Sequence, residues 1–205
     1  MIDDARLAVF GQWTPEGKLT PGYGDHYIFL VGRDDVHNIL LYLIQHETLE
    51  FDANEFGYDD QDLNDAILAL FKLPHVKVQV TLDKSQAGGV HEKAIIATDQ
   101  AQDATDFNNS FAIGQSATHQ ISHTKGMVLV GQGLWCEGST NLSSSGEGAG
   151  ISLKTDGQPK GWKSQNNTLV VSANPVGLSR FKTKLSSEHQ IAKAQMLATQ
   201  AKATS

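Results

Sequence analysis

The chain has 205 residues, of which 40% are apolar and 19% charged, and its formal net charge is −7. These values fit one globular domain with a substantial core and exclude a disordered acidic chain. The longest apolar run, residues 39–44, is far shorter than the roughly 20 residues that span a bilayer. The acidic N-terminus argues against a secretory signal peptide, and the single Cys136 excludes an intramolecular disulfide. We therefore expect a cytoplasmic protein without stable membrane insertion.

The charge is distributed unevenly along the chain. Residues 1–70 carry a net charge of −11, whereas residues 71–205 carry +4. Two interpretations stay open at this point. The acidic third can be the solvated face of an ordinary enzyme, or the C-terminal two-thirds can bind a polyanion while the acidic part faces elsewhere.

Apolar periodicity in the first half of the chain predicts alternating strands and helices. Asp34 or Asp35 is expected to cap the first helix, and Pro74 to end the second. The predicted elements are a loop over 11–25, a buried strand over 27–31, a helix from 36, a strand over 48–56, a helix over 60–73, a strand over 76–83, a helix over 91–102 and a short strand within 107–115.

The second half continues this alternation. Residues 121–142 are expected to form a strand, a glycine turn and a second strand, and residues 143–164 a loop rich in serine and glycine. A buried strand follows over 168–171, and Pro175 begins the C-terminal helix. The pattern predicts an α/β fold in which a mixed sheet is sandwiched between helices.

Polar side chains concentrate in the predicted hairpin. His123 and Lys125 are two positions apart, so on a strand they would share one face. Ser139 and Asn141 have the same spacing after the turn and are expected to return beside them. An imidazole can act as nucleophile or acid, while an ammonium, a hydroxyl and a carboxamide can hold phosphate oxygens. The hairpin is therefore the candidate active site.

His-x-Lys followed by Gly-Ser-x-Asn resembles the signature of the phospholipase D superfamily, and the elements over residues 25–190 resemble that family's order. One signature per chain resembles the small bacterial nucleases of this superfamily, which are homodimers with one active site across the two-fold axis. The resemblance implies metal-independent cleavage through a phosphohistidine at His123, without a cofactor. It divides the chain into an N-terminal segment (1–25), a catalytic domain (26–191) and a helical tail (192–205).

The sequence departs from the family pattern at three points. Val130 stands where the family has an aspartate, and the interval to Gly138 is one residue longer. Near Gln165 or Asn166 an amide replaces the acid that in many members orients the nucleophilic histidine; such an amide, Glu147 or a backbone carbonyl would have to replace it. The candidate catalytic residues are His123, Lys125 and Asn141, and the candidate substrate-binding residues are Ser139, Gln165, Asn166 and Trp162.

Three functions stay open. We favour a homodimeric nuclease, with DNA preferred over RNA as substrate. A phospholipase would use the same histidine but would need an apolar entry for lipid. A non-catalytic nucleic-acid-binding protein would explain Val130 and the missing acid.

We expect no metal at this site. His119 and His123 have the spacing of a metal pair on a helix, but the run after residue 121 favours a strand and no third ligand is evident. The remaining histidines, including His37 and His189, are interpreted as surface or capping residues.

Overall fold

The computed structural model describes residues 26–32, 34–102, 109–148 and 165–203. The predicted segment at 1–25 and Trp162 lie outside the described residues. Within them the chain forms seven strands and five helices. In chain order these are β1 His26–Leu30, α1 Val36–Gln45, β2 Glu50–Glu55, α2 Gln61–Phe71, β3 Lys77–Asp83, α3 Val90–Gln102, β4 Phe111–Gly114, β5 Gly126–Leu129, β6 Leu134–Gly138, α4 Ser144–Glu147, β7 Thr168–Ser172 and α5 Pro175–Ala203.

The strands form one mixed sheet in the order β1-β7-β6-β5-β2-β3-β4. β2, β3 and β4 run parallel, and the helices α2 and α3 connect them. The remaining neighbours pair antiparallel, including β2 with β5 and β5 with β6. The predicted mixed α/β sheet is confirmed.

Two capped amphipathic helices cover one face of the sheet. Asp35 accepts a hydrogen bond from the backbone N–H of Asn38 at the start of α1, and Asp60 accepts one from Leu63 (3.0 Å) at the start of α2. The apolar side chains of both helices recur at helical spacing and pack with the inward residues of β2 and β3. This apolar layer includes Phe51 and is the main core of the domain.

The long helix α5 covers the opposite face, where the sheet is largely polar. Ser186 lies 3.4 Å from Asp52, and Glu188 accepts a hydrogen bond from Asn54. His189 is 4% exposed and its Nδ1 lies 3.0 Å from Thr81 Oγ1. The interpretation of His189 as a surface residue is therefore wrong, because α5 lies flat across the sheet. Helices on both faces confirm the predicted sandwich.

Some local predictions differ from the structure. Residues 121–125 are irregular, and β5 begins only at Gly126. The predicted loop after 143 contains the short helix α4, capped by Ser143, whose side chain accepts from the backbone N–H of Gly146. β1 is an edge strand rather than a buried one, with Ile28 53% exposed.

None of the helices in the described part of the chain has both the length and the apolar character required to cross a bilayer.

Candidate active site

The candidate residues meet at one end of the sheet. β2 and β6 end there while β5 and β7 begin, because β5 is antiparallel to β2 and β6, and β6 to β7. The segments after β2, before β5, after β6 and before β7 are thus brought together. They enclose a pocket of about 420 Å³, lined by Phe56, His123, Lys125, Gly138, Ser139, Asn141, Gln165 and Asn167.

His123 presents an exposed imidazole at this pocket. Its ring meets the Phe56 ring edge-on, with centroids 4.5 Å apart and planes inclined at 65°. This contact orients the imidazole through the aromatic quadrupole. Among the described residues neither ring nitrogen has a hydrogen-bond partner, so both are available to a ligand.

Lys125 supplies the positive charge of the pocket. The residue is only 6% exposed, and its Nζ donates to the His123 carbonyl (3.1 Å) and lies 4.9 Å from the Phe56 ring centroid. Burial lowers the pKa of Lys125, while the nearby Glu55 carboxylate opposes that shift. The cation is therefore partly desolvated, which strengthens its attraction for an anion in the pocket.

Glu55 lies behind the pocket and is fully buried at the end of β2. Burial raises its pKa well above the ordinary value, whereas Lys125 and hydrogen bonds from the backbone N–H groups of Gly126 and Leu142 lower it. These two N–H groups belong to the segments that carry Lys125 and Asn141. Glu55 thus links both sides of the site.

Ser139 and Asn141 are held by the backbone around them. Asn141 Oδ1 accepts from the Gly57 N–H (3.1 Å), which leaves its amide donors for a ligand. Ser139 Oγ accepts from the Thr168 N–H (3.0 Å) and can still donate its own proton. Gly138 is required here because a Cβ would lie 2.0 Å from the Thr168 carbonyl oxygen. The close approach of β6 and β7 therefore positions both side chains.

Solved structures share this fold. NucT from Helicobacter pylori superposes with a TM-score of 0.59 at 14% identity, over 80% of this chain and 94% of that one. Nuc from Salmonella typhimurium, a phospholipase D family member, gives 0.52 at 14% identity, over 80% of this chain and 94% of that one. The chain has the phospholipase D fold. A phosphatidylserine synthase from Haemophilus influenzae Rd KW20 gives 0.52 at 12% identity, over 76% of this chain and 35% of that one.

No protein-family model and no curated protein matches the sequence. At these low identities the likeness establishes the phospholipase D fold.

Only one of the two amide side chains expected behind the His123 imidazole lies in the pocket. Gln165 lines it, whereas Asn166 is exposed and does not. Asn167 takes that place: it is buried, lines the pocket and donates to Gln165 Oε1 (3.0 Å) and to the Gly146 carbonyl (2.8 Å). The shift by one residue follows from strand alternation before β7, where Asn167 and Leu169 point inward.

Val130 and Glu147, two positions considered in the sequence analysis, lie away from the pocket of His123. Val130 is half-buried and packs against the apolar cluster of Val128, Phe181 and Leu185 beneath α5. Glu147 is buried on α4 and faces His37 at 3.3 Å instead of His123. Neither residue can orient the imidazole of His123 in this structure.

Three residues of the site were not predicted from the sequence: Glu55, Phe56 and Asn167. The first two follow from the pairing of β2 with β5, which places Asn54 opposite Gly126. The predicted strand at 48–56 included both residues, but a sequence pattern does not say which strands are neighbours. The described residues that have metal-ligand spacing, His37, Asp60 and Asp62, do not line this pocket.

Proposed function

We propose that this protein is a metal-independent phosphodiesterase that cleaves nucleic acid, with DNA preferred, through a phosphohistidine at His123 in a site shared across a homodimer. The observation that carries the proposal is the pocket itself. An exposed imidazole, whose ring nitrogens have no hydrogen-bond partner among the described residues, lies beside a partly desolvated ammonium and a positioned carboxamide. This combination suits a phosphodiester, which is an anion with an electrophilic centre.

The first chemical step uses His123 as nucleophile. A neutral ring nitrogen attacks phosphorus, a nitrogen–phosphorus bond forms, and the bond to the leaving oxygen breaks. Lys125 and the Asn141 amide hold the non-bridging oxygens, and Ser139 adds a weaker hydrogen bond. These donors act where negative charge builds up in the transition state, so they lower the barrier of the step.

The leaving oxygen requires a proton, and we assign it to His123 of the partner subunit. Each chain contributes one signature histidine, and a two-fold axis through the pocket would place two imidazoles on opposite sides of one phosphate. The exposure of His123 supports this, since a buried ring could not meet its symmetry mate. After the product leaves, the same partner imidazole takes a proton from water, and the hydroxide breaks the nitrogen–phosphorus bond.

The lining of the pocket favours nucleic acid over lipid. Among the described residues that line it, all except Phe56 and Gly138 are polar or charged. A lipid substrate would need an apolar channel beside the phosphate, and the ring of Phe56, the one apolar aromatic side chain among these described lining residues, already contacts His123 and Lys125. A flexible, fully charged strand needs only the cationic, amide-lined pocket.

The decisive experiment is a cleavage panel in EDTA at 25 °C. Single-stranded DNA, duplex DNA, RNA and phosphatidylcholine vesicles are incubated with wild-type protein, with His123→Ala and with the surface control His46→Ala. We expect cleavage of nucleic acid by wild type and His46→Ala and none by His123→Ala. Cleavage that survives in His123→Ala, or that appears only after magnesium is added, contradicts the proposal.

Subunit exchange tests the shared site. Wild type and His123→Ala are mixed at equal concentration and allowed to exchange. If one site needs both histidines, about half of the initial activity is lost, because heterodimers hold only one imidazole. Unchanged activity after verified exchange, or a fully active monomer in light scattering, contradicts the shared site.

A further inference from the structure

A second histidine lies in surroundings opposite to those of His123. His37, in the first turn of α1, has its Nδ1 3.3 Å from Glu147 Oε1 and 3.7 Å from Asp60 Oδ2. Its other nitrogen, Nε2, lies 3.6 Å from Asp62 Oδ2. One imidazole and three carboxylates thus meet where α1, the start of α2 and α4 come together.

The carboxyl group of Glu147 is buried in this cluster without a hydrogen-bond donor among the described residues. The Glu147 side chain is 0% exposed, and within the described residues neither of its oxygens receives a hydrogen bond. His37 Nδ1 is likewise buried without a hydrogen-bond partner. In the described part of the chain, these carboxylates form ion pairs with His37 and with no lysine or arginine. A buried carboxylate in such a place needs a cation or a proton.

The spacing of the donor atoms matches a metal ion. Zinc binds imidazole nitrogen and carboxylate oxygen at about 2.0–2.2 Å in tetrahedral geometry, which places neighbouring ligand atoms about 3.4 Å apart. The separations of 3.3 and 3.7 Å from His37 Nδ1 fall on either side of this value. Asp62, on the far side of the ring, has the position of the outer carboxylate that commonly orients a metal-bound histidine.

We propose that His37, Asp60 and Glu147 form a binding site for a divalent transition-metal cation, zinc above all, with Asp62 orienting the imidazole. A nitrogen donor with only a few oxygens favours zinc over magnesium or calcium, which prefer six or more oxygen ligands. The site is structural, because none of the three ligands lines the pocket of His123.

The cation would stabilise the segment that follows Asn141 against the start of α2. The Asp59 and Asp60 N–H groups donate to the Leu142 carbonyl (2.9 and 3.3 Å), and Ser144 Oγ donates to Asp60 (3.3 Å). A metal joining Asp60 to Glu147 would add a further link between the start of α2 and the segment after Asn141. We therefore expect metal to raise thermal stability and to leave the chemistry at His123 unchanged.

Direct binding to stripped protein tests the site. The full chain is freed of metal with EDTA, dialysed, and titrated with zinc chloride or manganese chloride, while bound metal and melting temperature are recorded. We expect one equivalent of zinc with a raised melting temperature in wild type, and neither effect in His37→Gln or Glu147→Gln. Asp62→Asn should bind about 10- to 100-fold more weakly. His46→Gln, an exposed histidine at the end of the same helix, should bind like wild type.

The variants also distinguish a loss of metal binding from a loss of folding. Glu147→Gln removes a buried charge and keeps the shape of the side chain, so its melting temperature without metal should equal or exceed that of stripped wild type. If stripped wild type takes up no zinc, or if His37→Gln binds it as tightly as His46→Gln, the site does not exist and a proton on Glu147 balances the cluster instead. Neither result bears on His123, whose activity is measured separately in EDTA.

Discussion

His123 and His37 are chemically identical side chains placed in opposite electrostatic surroundings. His123 is exposed, and its neighbours in the pocket are the Lys125 ammonium, the Asn141 carboxamide and a hydroxyl. His37 is largely buried, and its neighbours are the carboxylates of Asp60, Asp62 and Glu147. The first set attracts an anion and the second a cation. The ligand of an imidazole is thus decided by the charge around it, and the two sites should respond independently to substitution.

The difference also follows from the fold. The His123 pocket lies at the open end of the sheet, where strands begin and end and side chains reach solvent. The His37 cluster lies between helices, where a charged group loses its hydration and must be balanced locally.

Replacing His123 with alanine should produce the largest change. We expect cleavage to fall at least about a thousandfold, as for the loss of a nucleophile, with zinc binding and melting temperature unchanged. His37→Ala should do the reverse: zinc binding disappears, and the rate at 25 °C stays within about twofold of wild type. Steady-state cleavage and metal titration of the same preparations check both outcomes. A single variant that abolishes cleavage and zinc binding together, while remaining folded, would show that the two sites are one.

Replacing Lys125 tests the charge that distinguishes the anion site. Lys125→Ala should lose about 10²- to 10³-fold in kcat/KM, as for removal of one transition-state donor. The control is Lys184→Ala, an exposed lysine that donates to Thr124 near the same segment and should keep full activity.

The pH dependence of cleavage provides a second test of the role of Lys125. Because burial lowers its pKa, the ammonium is lost as pH rises through a value below that of an ordinary lysine, and activity should decline there. A Lys125→Arg variant that retains activity should keep it to higher pH. An alkaline limb unchanged by this substitution would assign the decline to another group.

The sequence predicted the signature pocket because its parts are local. His123 and Asn141 lie on two arms of one hairpin, so antiparallel pairing alone brings them together. Residues 121–125 are irregular and not the predicted strand, yet His123 and Asn141 converge because β5 begins immediately after Lys125. Helices with capping residues and full apolar faces, such as α1 and α2, were likewise predictable.

What the sequence did not reveal depends on contacts between distant segments. Glu55 and Phe56 reach the pocket through the pairing of β2 with β5, which no local pattern encodes. His37 and Glu147 meet through the packing of α1 against α4, so His37 was interpreted as a surface or capping residue. Asn167 in place of Asn166 depends on the phase of β7, and a boundary error of one residue reverses it.

A third histidine, His189, sharpens the comparison, because among the described residues it lines neither the pocket of His123 nor the carboxylate cluster of His37. It is buried against Thr81, and burial, followed by the charges of Lys193 on its own helix and Lys77 on β3, lowers its pKa to about 4. Its ordinary value is 6.5, so the unfolded chain binds the proton more readily between these two values. The contribution of His189 to stability is complete above pH 6.5 and is lost as pH falls toward 4.

Urea unfolding at pH 7.5 and pH 4.5 measures this loss. The advantage of wild type over His189→Gln in free energy of unfolding should shrink by about 2–3 kcal/mol at the lower pH. Asp52, in the same layer, acts in the opposite direction: burial raises its pKa to about 6, so protonation there favours the folded state as pH falls. Comparing the two proteins at each pH cancels that contribution. An advantage that does not change with pH would mean that His189 is not titrated on unfolding in this range.

Ser139 should show the smallest effect, and it marks the edge of the anion site. Its hydroxyl accepts from the Thr168 N–H, and Thr140 Oγ1 donates to the Thr168 carbonyl, both at 3.0 Å, so the two neighbours anchor the same residue. Ser139 lines the pocket and Thr140 does not. Ser139→Ala should lower kcat/KM about three- to tenfold, as for one neutral hydrogen bond to substrate, whereas Thr140→Val should lower the melting temperature and leave kcat/KM unchanged. If both variants lose activity in proportion to stability, Ser139 acts only as an anchor, and Lys125 and Asn141 hold the phosphate oxygens without it.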